Sequence, residues 1–128
     1  MKLEHVAFNV NEPREMAEWY AKNLEMEIVR ADPASPYIRF LADKARQSMI
    51  ELYNNPAAAV PDYAAIAPLV LHIAFNVEDV EAVRDRLVAA GATQATEIVT
   101  HPSGDKMVFL RDPWQVPIQL INRRKNLI

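Results

Sequence analysis

Large apolar residues recur along this chain with two different periods, which predict a strand followed by a helix. Residues 6–10 alternate between large apolar and smaller or polar side chains, as a strand with one buried face does. A second apolar group then recurs at helical spacing and is formed by Met16, Trp19, Tyr20 and Leu24. Asn11, Glu12 and Pro13 precede this group and are typical of a helix N-terminus.

The second half of the chain shows the same order of patterns. Residues 73–77 alternate like a strand, and an apolar helical face follows, formed by Val80, Val83, Leu87 and Val88. Glu78 and Asp79 are acidic residues suited to the start of this helix, and Gly91 stands where a C-terminal glycine belongs. Three strand-like runs follow each helix: 27–31, 37–41 and 48–53 in the first half, and 93–100, 106–110 and 116–121 in the second.

Two short blocks repeat almost identically, so the chain is predicted to be a duplicated module. Ala7–Val10 (AFNV) matches residues 74–77 when His5 is aligned with His72, at an offset of 67 residues. Residues 50–54 (IELYN) match residues 118–122 (IQLIN) at an offset of 68. Two blocks in the same order predict an α+β domain of two βαβββ modules, which form a cupped mixed sheet with the helices outside. Module one spans 1–54, a linker 55–68, module two 69–122 and a tail 123–128.

Strand alternation places four polar side chains of the repeated blocks on the face opposite the helices. His5 and His72 open the first strand of each module, and Glu51 and Gln119 occupy matched positions in the last strands. A single histidine or glutamate at such a place is usually an ordinary side chain. Recurrence at matched positions favours a metal site instead, because a carboxylate between apolar neighbours needs a cationic partner.

Composition limits the chemistry of such a site. The 128 residues contain no cysteine, so a metal must take nitrogen and oxygen ligands. The net charge of −3, without a basic stripe, gives no reason to expect nucleic acid. The first residues contain no apolar stretch of the kind a secretory signal has, so none is expected, and no apolar run reaches the ~20 residues that a membrane span requires. A cytoplasmic protein that binds neither nucleic acid nor membranes is expected.

The repeated blocks resemble the vicinal oxygen chelate superfamily, which includes glyoxalase I, bleomycin and fosfomycin resistance proteins, extradiol dioxygenases and methylmalonyl-CoA epimerase. The resemblance covers nearly the whole chain and rests on HVAFNV, WYAKNLEMEIV, MIELYN, HIAFNV and FLRDPWQVPIQLIN. It implies a divalent metal (Ni, Co, Zn, Mn or Fe) whose ligands come from the first and last strands of each module. Carried over, these ligands are His5, Glu51, His72 and Gln119.

The resemblance implies a metal-dependent glyoxalase-like lyase or isomerase that chelates a small vicinal-oxygen substrate and stabilises an enolate. This chain departs from the glyoxalases at Gln119, where they commonly have a glutamate that is both ligand and base. An amide oxygen can ligate a metal but cannot accept a proton, which leaves Glu51 as the candidate catalytic base. Two alternatives stay open: a bleomycin-resistance-type protein that binds a small molecule without catalysis, and an Fe(II) extradiol-type dioxygenase.

Other residues are less informative at the level of sequence. His101 lies in a turn and is interpreted as a surface residue, with a contact at the pocket rim as the alternative. Arg39 and Arg111 are candidates for pairing with an anionic substrate, although exposed strand arginines are common. The resemblance also implies a homodimer, in which His5 and His72 meet either within one chain or across two.

Overall fold

Each half of the chain folds into one mixed sheet and one α-helix in a computed structural model that describes residues 1–127. Ile128, the last residue of the predicted tail, lies outside the described residues. The helices are α1 (Pro13–Asn23) and α2 (Val80–Ala89). The strands are β1 (Val6–Asn9), β2 (Glu27–Ala31), β3 (Arg39–Ala42), β4 (Met49–Tyr53), β5 (Ile73–Asn76), β6 (Thr93–Gln94), β7 (Val99–Thr100), β8 (Lys106–Arg111) and β9 (Pro117–Asn122). Within residues 1–127, neither helix is both long and apolar enough to cross a membrane.

The two sheets have equivalent strand orders. The chain divides into two compact units, Met1–Pro61 and a second one that begins at Asp62. The first unit has the order β1-β4-β3-β2, and the second has β5-β9-β8-β6 with β7 paired to β8. In both units the first strand is parallel to the last one, and the remaining pairs are antiparallel. The α+β class and the duplicated module are therefore confirmed.

The strand predicted over residues 93–100 is interrupted, which corrects that prediction. Ala95 and Thr96 both donate their backbone N–H to the carbonyl of Phe109, at 2.8 and 3.3 Å. The Thr96 hydroxyl in turn accepts the N–H of Phe109 at 3.1 Å. Because a side chain replaces the backbone ladder here, β6 and β7 form as two short strands rather than one.

The helices begin and end as their sequences predict. Pro13 occupies the first turn of α1, where its missing N–H costs nothing. Asp79 caps α2 by accepting the N–H of Ala82 at 2.9 Å. After α2 the chain reverses through Gly91 with φ of 105°, and after α1 it does so through Glu25 with φ of 56°.

Three predicted apolar faces are only partly buried. Val6 is 48% exposed although Phe8 of the same strand and Val10 just after it are buried, because β1 lies at the sheet edge and α1 packs across β2, β3 and β4. Trp19 is half-buried, while its neighbour Tyr20 is fully buried. Val88 is exposed, because α2 packs through Val80 and Leu87, which lie two turns apart.

The duplication extends to the turns between the last two strands of each module. Asp43 accepts the backbone N–H groups of Gln47 and Ser48, at 2.8 and 3.2 Å, through one carboxylate oxygen. Asp112 does the same for Trp114 and Val116, at 2.9 Å each. Both turns also contain one non-glycine residue with positive φ, which is Arg46 in the first and Gln115 in the second. Equivalent turns set an equivalent register for Glu51 and Gln119.

Arg111 attaches part of the predicted linker, residues 55–68, to the sheet of the second unit. Its guanidinium donates to the carbonyls of Tyr63 and Ile66, both at 2.9 Å, and to that of Gln115 at 3.1 Å. Arg39 is also committed to backbone carbonyls, those of Asp32, Tyr37 and Ile38. Arg111 thus uses both of its terminal nitrogens in holding the backbone, whereas the three contacts of Arg39 all involve its Nη1 atom.

Replacing Arg111 with Met is expected to lower the free energy of unfolding by about 2–4 kcal/mol, because charge-assisted hydrogen bonds contribute more than neutral ones. Urea denaturation measures the loss, and amide hydrogen exchange should show faster exchange for the amides of Ala65 and Ile66. Arg39→Met is the matched control and should leave those two amides protected. Equal exchange in the two variants would show that Arg111 does not hold this segment.

Candidate functional site

His5 and Glu51 form a close pair on the face of the first sheet that points away from α1. Glu51 lies opposite Ala7 of β1 and Phe40 of β3, and His5 immediately precedes β1. The His5 Nε2 atom is 3.3 Å from Glu51 Oε2, and the two side chains are 30% and 14% exposed. The Phe40 ring packs edge-on against the imidazole, with centroids 5.2 Å apart. The two predicted site residues of module one are therefore in contact.

The other nitrogen of His5 determines what this pair can bind. His5 Nδ1 lies 2.5 Å from Glu4 Oε2, so the Nδ1–H donates to that carboxylate. A neutral His5 then leaves Nε2 with a lone pair, 3.3 Å from a Glu51 oxygen that also carries only lone pairs. Two acceptors this close require a proton or a cation between them. Ligands bound at ~2.1 Å to one ion lie about 3.0–3.4 Å apart, so the observed separation fits a shared divalent metal.

His72 and Gln119 occupy the equivalent places in the second unit. Gln119 lies opposite Ala74 of β5 and Phe109 of β8, and Phe109 packs edge-on against His72 at 5.1 Å. His72 Nδ1 donates to the carbonyl of Pro68 at 2.7 Å. As in module one, this leaves Nε2 as the available ligand atom. Gln119 is 9% exposed and donates an N–H to the Met107 sulfur at 3.3 Å.

The four predicted ligands thus lie in two pairs, which we call half-sites. The first half-site is His5 with Glu51 in the first unit, and the second is His72 with Gln119 in the second unit. Among residues 1–127, no group of three or more histidine and acidic side chains is placed so that it could hold a metal ion. Glu51 and His5 are in contact within the first unit, and the complete set with His72 and Gln119 stays a prediction.

Arg30 lies beside this pair, although the sequence analysis did not select it. It pairs with Phe40 across β2 and β3, and its guanidinium is 5.9 Å from the Phe40 ring centroid. Its forked hydrogen bond to Asp32 and that carboxylate's charge raise the pKa of Arg30, and the charge of Glu51 adds a smaller effect. Strict alternation would put Arg30 on the face of Ile28, but a bulge between the two reverses it. A bulge leaves no clear sequence signal, so Arg30 was missed.

A family model described as "Glyoxalase/Bleomycin resistance protein/Dioxygenase superfamily" matches residues 2–120 of the chain. The chain belongs to this superfamily. No match was found among curated proteins.

Several solved structures share the fold over nearly the whole chain. A glyoxalase family protein from Bacillus cereus has a TM-score of 0.81 at 16% identity, covering 95% of this chain and 93% of its own. A glyoxalase family protein from Enterococcus faecalis has a TM-score of 0.66 at 25% identity, covering 94% and 97%. An antibiotic binding protein from Streptomyces sp. CB03234 has a TM-score of 0.70 at 17% identity, covering 96% and 98%. The shared fold thus occurs in a protein named for antibiotic binding as well as in proteins named for the glyoxalase family, and the activity must be argued from the site.

The contact between Glu4 and His5 predicts a role for Glu4 in metal affinity. Glu4→Gln should weaken binding of a divalent metal about 10- to 100-fold, because a partner carboxylate fixes the ligand tautomer and raises its basicity. Isothermal titration of the metal-free protein with Zn²⁺ measures the change. Glu25→Gln, which removes a carboxylate paired with Lys44 on the surface, is the control. Equal affinities for both variants and the wild-type protein would remove Glu4 from the site.

Proposed function

We propose that this protein is a divalent-metal-dependent lyase or isomerase of the glyoxalase kind, acting on a small α-oxygenated carbonyl compound such as a thiol adduct. The observation that carries the proposal is the 3.3 Å separation of His5 Nε2 and Glu51 Oε2. This separation is within the range that two ligands of one cation keep. The repetition of this half-site around His72, with a neutral amide at Gln119, supports the same reading.

In this proposal His5, Glu51, His72 and Gln119 hold the metal, within one chain or across a homodimer. The bound metal supplies Lewis-acid stabilisation of negative charge on the substrate oxygens. Glu51 accepts the proton from the carbon next to the carbonyl, because it is the carboxylate of the proposed ligand set. The positive charge of Arg30, which interacts with Glu51, favours an anionic substrate.

A second candidate is a protein that binds a small molecule without catalysis. Two observations favour it: among residues 1–127 no three histidine or acidic groups are placed to hold a metal, and Gln119 provides no second base. The fold is shared with an antibiotic binding protein, a likeness that concerns the fold alone at 17% identity. The dioxygenase alternative uses the same two histidines and one carboxylate but requires iron and oxygen.

The test is metal analysis of protein purified without chelators, followed by assays with Ni²⁺, Co²⁺, Zn²⁺, Mn²⁺ and Fe²⁺ added to the metal-free protein. The probe substrate is the hemithioacetal of methylglyoxal and glutathione. We expect about one metal ion per chain or per pair of half-sites. The hemithioacetal should be isomerised to the thioester only when metal is present. Protein that binds no added metal and leaves the hemithioacetal unchanged would support the binding protein instead. Oxygen uptake with a catechol and Fe²⁺ would support the dioxygenase.

A further inference from the structure

His101 lies at a fixed position in the turn that joins β7 to β8. Its backbone N–H donates to the carbonyl of Asp105, and its carbonyl accepts the N–H of Gly104, both at 2.8 Å. Asp105 is in turn held by the Arg124 backbone N–H at 2.9 Å and the Arg123 guanidinium at 2.8 Å. These two contacts, the first being the larger, keep the pKa of Asp105 below its usual value. The turn is therefore tied to the chain that follows β9.

The His101 side chain meets Gln119 through a shared sulfur atom. His101 Nε2 is 3.4 Å from the Met107 sulfur, and Gln119 Nε2 is 3.3 Å from the same atom. Met107 lies two residues from Phe109 along β8, so both side chains share the face that carries Gln119. Phe109 in turn packs against His72. The imidazole of His101 is thus placed at the border of the second half-site, without touching its proposed ligands.

An isomerase needs a group that returns a proton as well as one that removes it. Gln119 cannot do either, because an amide does not exchange protons at neutral pH in this way. Histidine titrates closest to neutrality among the ordinary side chains and serves both roles. His101 interacts with the charge of Asp105 in the same turn, which pairs with the Arg123 guanidinium and accepts the backbone N–H of Arg124. The neighbours Met107 and Gln119 are uncharged.

We propose that His101 is the second proton-transfer group of the site and supplies the function that a carboxylate at position 119 would provide. The inference rests on the proposed function. In the hemithioacetal, Glu51 takes the proton of the hydroxyl-bearing carbon, and the electron pair of that C–H bond moves toward the carbonyl oxygen to give an enediolate. Protonated His101 then gives its proton to the former carbonyl carbon. The hydroxyl proton passes to the other oxygen, and Glu51 and His101 return to their starting states through water, so that no proton is gained or lost overall.

The test compares two substitutions of His101 in the metal-loaded protein. His101→Gln keeps an N–H donor for the Met107 sulfur but cannot transfer a proton, and His101→Ala leaves space beside it. Both are expected to lower kcat for the hemithioacetal about 100- to 1,000-fold with KM changed less than about threefold. The pH–rate profile should lose one ionisation. Added imidazole should restore the rate of His101→Ala and not that of His101→Gln.

The controls separate this proposal from the proposed function. Ser103→Ala, in the same turn, should keep the wild-type rate and profile, and metal content should be unchanged in all variants. An active wild-type protein whose His101→Gln variant keeps its kcat and pH profile would overturn the role of His101 alone. A wild-type protein that does not turn over the hemithioacetal with any metal would overturn both proposals together. If His101→Ala fails to fold, His101→Gln decides the matter.

Discussion

Replacing Glu51 with Gln is expected to lower kcat/KM for the hemithioacetal by about 1,000-fold or more, since it removes both a charged metal ligand and the proposed base. The neutral amide keeps the volume of the side chain between His5 and Phe40, so the fold should survive. The free energy of unfolding of the metal-free protein should change by less than about 1 kcal/mol. The glutamine side chain can donate an N–H to His5 Nε2, whereas the glutamate carboxylate can only accept. Steady-state kinetics and urea denaturation measure the two effects.

Glu27→Gln is the matched control for this substitution. Glu27 pairs with Arg46 on the exposed side of the first unit, and its replacement should leave activity unchanged. A Glu51→Gln protein that retains more than about a tenth of wild-type activity would contradict a catalytic role for Glu51. Loss of activity in the Glu27→Gln protein as well would point to a general effect of lost charge rather than to the site.

Replacing Gln119 with Glu is expected to make stability strongly metal-dependent. The side chain is 9% exposed and donates to the Met107 sulfur, a contact that a carboxylate cannot make. Without metal the variant should lose about 1–3 kcal/mol of unfolding free energy, because a buried charge lacks a partner. With metal the carboxylate becomes a charged ligand, and affinity should rise at least about tenfold, equivalent to ~1.4 kcal/mol. Thermal denaturation with and without Zn²⁺, together with titration calorimetry, measures both.

Gln119→Met separates the metal effect from packing. Methionine fills a similar volume without a ligating oxygen, so the metal-free stability should stay within about 1.5 kcal/mol of wild type. If Gln119 ligates through its oxygen, this variant should bind metal more weakly than wild type. A Gln119→Glu protein that loses stability equally with and without metal would place residue 119 outside the metal site.

The fold was predictable because the repeated blocks contain the residues that set the register of the sheets. Glu51 and Gln119 lie opposite the equivalent residues Ala7 and Ala74, and His5 and His72 each immediately precede the first strand of their sheet. Strand alternation was enough to put His5 and Glu51 on one face, and their 3.3 Å contact follows from the parallel pairing of β1 and β4. This part of the site is local to one module, which is why a simple pattern could find it.

The rest of the site depended on contacts that a periodic pattern cannot contain. Arg30 reaches the face of Phe40 through a bulge, which adds one residue and reverses the alternation. Arg111 is committed to the carbonyls of Tyr63 and Ile66, more than forty positions earlier in the chain. His101 reaches Met107 across a turn whose geometry is set by Asp105. Each of these contacts is decided by a turn or an irregular segment rather than by strand or helix period.

The two modules differ most where the proposed chemistry lies. The carboxylate of Glu51 corresponds to the amide of Gln119, and the Nδ1 partner changes from the Glu4 carboxylate to the carbonyl of Pro68. The aromatic contacts, by contrast, are almost the same in geometry, with centroid distances of 5.2 and 5.1 Å. The aromatic packing against the histidine is thus the same in both modules, whereas the carboxylates of Glu4 and Glu51 lie in the first module alone. Under the proposed function, module one would remove the proton, and module two would supply His72 and the second proton-transfer group, His101.

The three histidines of the chain make one measurement especially direct. Metal-free protein is titrated with Zn²⁺ while the imidazole Cε1–H signals are followed by NMR, with each signal assigned by substituting one histidine. If both modules hold one ion, the signals of His5 and His72 should shift together and saturate at one metal ion per site, whereas the His101 signal should not show direct ligation. Saturation with His5 and His72 both unchanged, or a shift of His5 alone, would contradict a single ion held by both modules.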